Sequence, residues 1–86
     1  MEPELIDAIS MVKSSHHRCS ILISIGNNIM TPSDISKNTG IRLNHVSMFL
    51  SELKERKLIT CLNESAKKGR LYQLTDLGKK VIEIIG

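Results

Sequence analysis

The chain has 86 residues, 41% hydrophobic and 24% charged, with a formal net charge of +3; that composition supports one modest core and excludes a disordered chain. Phe49 and Tyr72 are the only aromatic residues, so Ile, Leu, Val and Met must fill the core. No apolar run approaches the roughly 20 residues of a bilayer-crossing helix, and Glu2, Glu4 and Asp7 give the start the wrong charge for a secretory leader. Two cysteines do not make a disulfide framework, so a reducing, cytoplasmic setting is expected.

In chain order, Glu2 to Lys13 has a proline at a first-turn position, acids beside it, and Leu5, Ile6, Ile9 and Val12 at helical spacing, which predicts a helix. Ser14-Ser15 breaks that pattern and caps a second helix over roughly 15–25. Its Cys19, Ile21, Leu22, Ile23 and Ile25 are apolar around most of the circumference, so it is expected to be the central buried helix. Gly26-Asn27-Asn28 stops it, and Ile29-Met30 can add a short strand.

Thr31-Pro32-Ser33-Asp34 has the form of a capping box, with Thr31 as cap and Asp34 returning the bond. Gly40 ends this third helix and Ile41 turns into the core. The next helix, about 43–56, places Val46, Phe49, Leu50 and Leu53 on one apolar face. Two strand-like runs, LITCLN and RLYQLT, then flank the loop ESAKKG, and Thr75-Asp76 caps a final helix carrying Leu77, Val81, Ile82, Ile84 and Ile85. The expected fold is therefore mainly α with a small β-hairpin: one winged helix-turn-helix domain over 1–86, in the order α-α-(β)-α-α-β-β-α.

Charge is unevenly spread. Thr31 to Lys80 holds ten Lys or Arg against five Asp or Glu, a surplus of five; the remainder holds two against four. Clustered cations on a helix-turn-helix and hairpin suit a polyanion, because phosphate neutralisation releases counterions. At about 100° per residue, the face of 43–56 opposite the core carries Asn44, Met48, Ser51 and Glu55, with His45 and Ser47 on the flanks. Glu52 and Glu55 would repel phosphate, so the N-terminal half, with Arg42 just ahead of it, is the part expected to enter a major groove. Asn44 can pair bidentately with adenine, Met48 can touch a thymine methyl, and Ser47, His45 or Ser51 can reach an edge or a phosphate. Thr31 and Ser33 stand at a helix start suited to a phosphate. Lys67, Lys68 and Arg70 around Gly69 make the wing, 64–70, a second contact with backbone or minor groove.

Other chemistry finds little support. His16, His17 and Cys19 lie close in sequence, with Cys61 a distant fourth, but adjacent histidines on a helix diverge by about 100°. No metal and no cofactor is expected. There is no nucleophile–base pair, paired-carboxylate arrangement or glycine-rich phosphate loop, so no enzyme is expected.

Four segments carry a resemblance over roughly 14–85: SSHHRCSIL, TPSDISKNTGI, VSMFLSELKERKLI and KKGRLYQLTDLGKKVIEII. They resemble the small winged helix-turn-helix transcriptional regulators of archaea, of the ArsR- and MarR-like type, most specifically in the pattern GRxYxLTxxGxxV after a basic wing. The resemblance implies sequence-specific binding of double-stranded DNA by a homodimer, with the terminal helices (here 1–14 and the last one) supplying dimer contacts. The chain departs from it in having no cysteine between Cys19 and Cys61, which argues against metal sensing. It also has Arg42-Leu43 where Ser or Thr caps the recognition helix. The competing reading is a winged helix used as a protein-interaction module within multi-subunit machinery, which Met48 and the two glutamates keep open.

Overall fold

A computed structural model describes residues 2–85. Five helices run α1 Pro3–Lys13, α2 His16–Ile25, α3 Pro32–Thr39, α4 Leu43–Glu55 and α5 Asp76–Ile85, with the strands β1 Ile59–Cys61 and β2 Tyr72–Leu74 between the last two. This is the winged helix-turn-helix arrangement.

The helix boundaries follow from local chemistry. Ser15 caps α2 by accepting the Arg18 N–H. At α3 the capping box closes in both directions, Thr31 Oγ1 accepting from the Asp34 N–H at 3.1 Å and Asp34 Oδ2 from the Thr31 N–H at 3.2 Å. The Thr31 backbone N–H, and after it the Thr31 hydroxyl, hold the Asp34 carboxyl below its usual range. Gly40 ends α3 in the left-handed conformation, φ 78°, which glycine adopts without a Cβ penalty. The turn is then tied down by Ser36 Oγ donating to the Ile41 carbonyl at 2.6 Å and by the Ile41 N–H donating to Thr39 Oγ1 at 3.2 Å. Ile41 is buried, as expected.

The core is aliphatic. Val12, Ile21, Leu22, Ile25, Ile35, Val46, Leu53, Leu58 and Val81 are wholly enclosed, and no polar or charged residue among those described is buried. Burying each such side chain contributes roughly 1.5–3 kcal/mol. α2 is the hub, touching α1, α3, α4, β2 and α5. The expectation that it is enclosed on nearly all sides needs one correction: Ile23 remains 53% exposed, on the side that no other element covers.

β1 and β2 pair antiparallel, Ile59 with Leu74, Thr60 with Gln73 and Cys61 with Tyr72. The strands are shorter than the six-residue runs that announced them, although Leu62 N–H still donates to the Leu71 carbonyl at 2.8 Å. The extra strand expected at Ile29-Met30 is a single bridge, in which Met30 and Tyr72 exchange both backbone bonds at 2.9 Å.

The junction joining α4, β1 and α5 sets the direction of the wing. α4 closes with Leu58 N–H donating to the Leu53 carbonyl and Lys57 N–H to that of Lys54, which requires a positive φ at Lys57, 61°. Thr75 Oγ1 donates to the Lys57 carbonyl at 2.6 Å and accepts the Gly78 N–H at 3.1 Å, so one hydroxyl caps the start of α5 and ties it to the turn after α4. Gly78 lies so near that a Cβ there would stand 2.2 Å from the Leu58 carbonyl oxygen. The Thr-x-x-Gly-x-x-Val part of the sequence pattern is therefore a packing device, with Val81 completing it in the core.

Candidate nucleic-acid interface

α4 packs Val46, Leu50 and Leu53 inward, while Phe49 is only half-buried, with the His17 ring edge-on to it at 5.5 Å. The remaining face is open. Arg42, Asn44, His45, Ser47, Met48 and Ser51 are all exposed, so the structure brings the six candidate reading residues onto one accessible surface. Arg42 occupies the N-cap position, and no side chain caps this end of the helix. The first-turn N–H groups and the positive end of the helix dipole thus face outward beside a guanidinium.

The wing stands next to that surface. Pro32, Ser47, Ser51, Lys67, Gly69 and Arg70 border a groove of about 270 Å³ between the start of α3, α4 and the hairpin tip. Lys67 and Lys68 are exposed. Arg70 is exposed too, but its Nε–H donates to the Ala66 carbonyl at 2.8 Å, which folds it back across the loop. Ser33 is exposed, whereas Thr31 is half-buried and both its hydroxyl and its N–H are engaged by Asp34. The α3 start thus carries its own anion, and Ser33 has the freer access there.

Three residues that position this surface escaped sequence reasoning. Arg18 ties three helices together: its guanidinium meets Glu52 of α4 at 2.6 and 2.9 Å, the Met11 carbonyl of α1 at 3.0 Å and Ser14 Oγ at 3.3 Å. The expectation that Glu52 acts as a free phosphate-repelling charge is corrected accordingly, since its carboxylate is turned to Arg18. Nothing local links residues so far apart in the chain, so no signal was available. Lys54 of α4 pairs with Glu64 at the base of the wing. This contact pulls the Glu64 carboxyl down and the Lys54 ammonium up from their ordinary values. Asn63 closes the wing loop, its Oδ1 accepting from Leu71 N–H at 2.7 Å and its Nδ2 donating to the Gly69 carbonyl at 3.3 Å. An asparagine opening a polar, glycine-containing loop was a usable cue for that role.

Among the described residues no group of three His, Cys, Asp or Glu is placed to hold a metal ion, and no helix is long and apolar enough to cross a membrane. Cys61 is buried on β1 and Cys19 is half-buried against the core.

No family model matches the chain, and no curated protein matches it in sequence. Solved structures do resemble it in fold. TubR bound to 24 bp of tubC from Bacillus thuringiensis serovar israelensis pBtoxis superposes with a TM-score of 0.80 at 12% identity, over 94% of this chain and 90% of that one. HlyU from Vibrio cholerae N16961 also gives 0.80, at 18% identity, over 99% and 94%. The ArsR family transcriptional regulator RHA00566 gives 0.68 at 17% identity, over 99% and 86%.

Proposed function

We propose that the protein is a sequence-specific, double-stranded-DNA-binding transcriptional regulator of the cytoplasm, without catalytic activity, metal or cofactor. α4 lies in the major groove, led by its N-terminal half, and the wing from 64 to 70 lies on the backbone or in the minor groove. The observation that carries this reading is the exposed outer face of α4 with Arg42 ahead of it, whose Ser47 and Ser51 border an open groove shared with Lys67 and Arg70 of the cationic wing. Such a surface joins donors and acceptors for base edges to cations for phosphate, the two components of duplex recognition. The similar fold of TubR bound to 24 bp of tubC supports the reading, as does that of an ArsR family transcriptional regulator.

In this reading Asn44 reads a base edge, Met48 a thymine methyl, and Arg42, His45, Ser47 and Ser51 edges or phosphates at either side. Lys67, Lys68 and Arg70 take backbone, as does Ser33 with Thr31 behind it. The protein works as a homodimer through α1 and α5, which pack on each other and leave Ile6 and Ile84 each 49% exposed. A two-fold pair would set the recognition helices about 34 Å apart against a pseudo-palindrome.

Selection from a random duplex library, followed by titration of the enriched sequence, tests the assignment. Asn44→Ala is expected to weaken specific binding by about 1–3 kcal/mol and to leave non-specific binding nearly unchanged. Equal losses on both kinds of DNA would remove the base-reading role. A second reading, a protein-interaction module, draws on Leu43 and Met48, 48% and 49% exposed on the same helix; failure of the library to enrich any sequence would favour it.

A further inference from the structure

All three histidines of the chain, His16, His17 and His45, line one cleft of about 330 Å³ with Arg42 and the turn between α3 and α4. His16 and His17 come from the first turn of α2, Arg42 and His45 from the start of α4. α3 and its turn contribute only a hydroxyl and backbone, from Thr39 to Ile41, and no carboxylate lines the cleft. The nearest acid further along α4, Glu52, lies beyond Phe49 and is held by Arg18. The His17 ring makes a T-shaped contact with Phe49 at 5.5 Å and stands 6.4 Å from that of His16, and both imidazoles are exposed to an incoming ligand.

The position of the cleft relative to α4 is the second observation. Helical geometry sets Ser47 about 80° to one side of the Asn44–Met48 ridge and His45 about 80° to the other. The Ser47 side opens onto the wing groove with Lys67 and Arg70, and the His45 side onto the histidine cleft. A helix in a major groove about 12 Å wide has a sugar–phosphate strand along each flank. Lys67 and Arg70 of the wing stand on the Ser47 flank.

We propose that the histidine cleft is a phosphate-contact surface for the strand opposite the wing, with its imidazoles bound in the protonated state. The proposal rests on the duplex-binding reading above and adds to it a pH dependence. Imidazole is the side chain whose charge ordinarily changes between about pH 5 and 8, and every imidazole of the chain is here. DNA affinity therefore rises as the solution is acidified through that interval, and binding takes up protons.

The test uses the full chain and a selected duplex at constant ionic strength, with dissociation constants measured at pH 6 and pH 8 for the native protein and for a His16→Gln/His17→Gln variant. The native protein is expected to bind about ten-fold tighter at pH 6, with a salt slope steeper by about one to two units, and the variant to lose most of that ratio. In parallel, NMR titration of the native protein follows its imidazole protons, so the outcome does not hang on the variant folding. Their midpoints are expected to rise when duplex is added and to stay put with the same concentration of inorganic phosphate. Duplex binding with equal affinity at both pH values, an undiminished ratio in a folded variant, or midpoints indifferent to duplex would overturn the cleft. Midpoints moved as strongly by free phosphate would overturn its assignment to the DNA backbone. Absence of duplex binding at either pH would instead remove the reading beneath it.

Discussion

At the wing, Gly69 and Arg70 stand in solvent beside Lys67 and Lys68, whereas Tyr72, Leu74, Gly78 and Val81, a short way along the same segment, are buried. Both stretches belong to the GRxYxLTxxGxxV pattern that made the sequence recognisable, yet they answer to different physics. In the second stretch Thr75 caps α5 and holds the turn after α4 with one hydroxyl, and Gly78 admits the Leu58 carbonyl where any side chain would collide. In the first, cations are held out on a loop fastened by Asn63 and Arg70. The most recognisable half of the pattern thus reports packing. The half proposed to meet DNA is specified only by charge and exposure, which many sequences satisfy.

That contrast is open to test by substitution on either side. The largest effect is expected at Gly78. Gly78→Ala should destabilise the fold by about 3 kcal/mol, the upper range for forcing atoms into a filled site, because the obstructing atom is backbone. Urea denaturation would show this as a lower midpoint with an unchanged slope; a shift below about 0.5 kcal/mol would mean that α5 can slide away from the α4–β1 turn. The wing counterpart should leave stability alone. A Lys67→Ala/Lys68→Ala double variant is expected to melt like the native protein while the salt slope of DNA binding falls by about two units. An unchanged slope would take the wing out of the interface.

A smaller effect, of opposite sign, is expected at the same junction. Lys57 occupies a left-handed position, so Lys57→Gly should stabilise the protein by about 0.5–1 kcal/mol, the left-handed strain relieved less the added freedom of the unfolded glycine. Destabilisation instead would show that the lysine side chain contributes more than its backbone costs.

The smallest effect belongs to acid. Asp34 and Glu64 both have carboxyls held below their ordinary values of 3.8 and 4.5, so their contributions are complete above those values and vanish as pH falls through the lowered ones. Glu64→Gln should flatten the stability profile at that acidic end, where the lowered carboxyl titrates, and only slightly because the group is largely exposed; a change centred on pH 7 would contradict the assignment.

Helix order, the capping box at Thr31 and Asp34, the left-handed stop at Gly40 and the inward face of α4 were all legible in the sequence, because each depends on residues within one or two turns of each other. Cap chemistry and the 3.6-residue period act locally, and they leave the same marks in any chain. The exposed face of α4 was legible for the same reason, as the complement of its apolar stripe. Arg18 reaching Glu52, Lys54 reaching Glu64, Gly78 set against Leu58 and three histidines gathered at one cleft were decided only by tertiary structure. Those pairings join residues that the chain alone keeps apart, and only the packing of the other helices and the hairpin around α2 brings their atoms within reach.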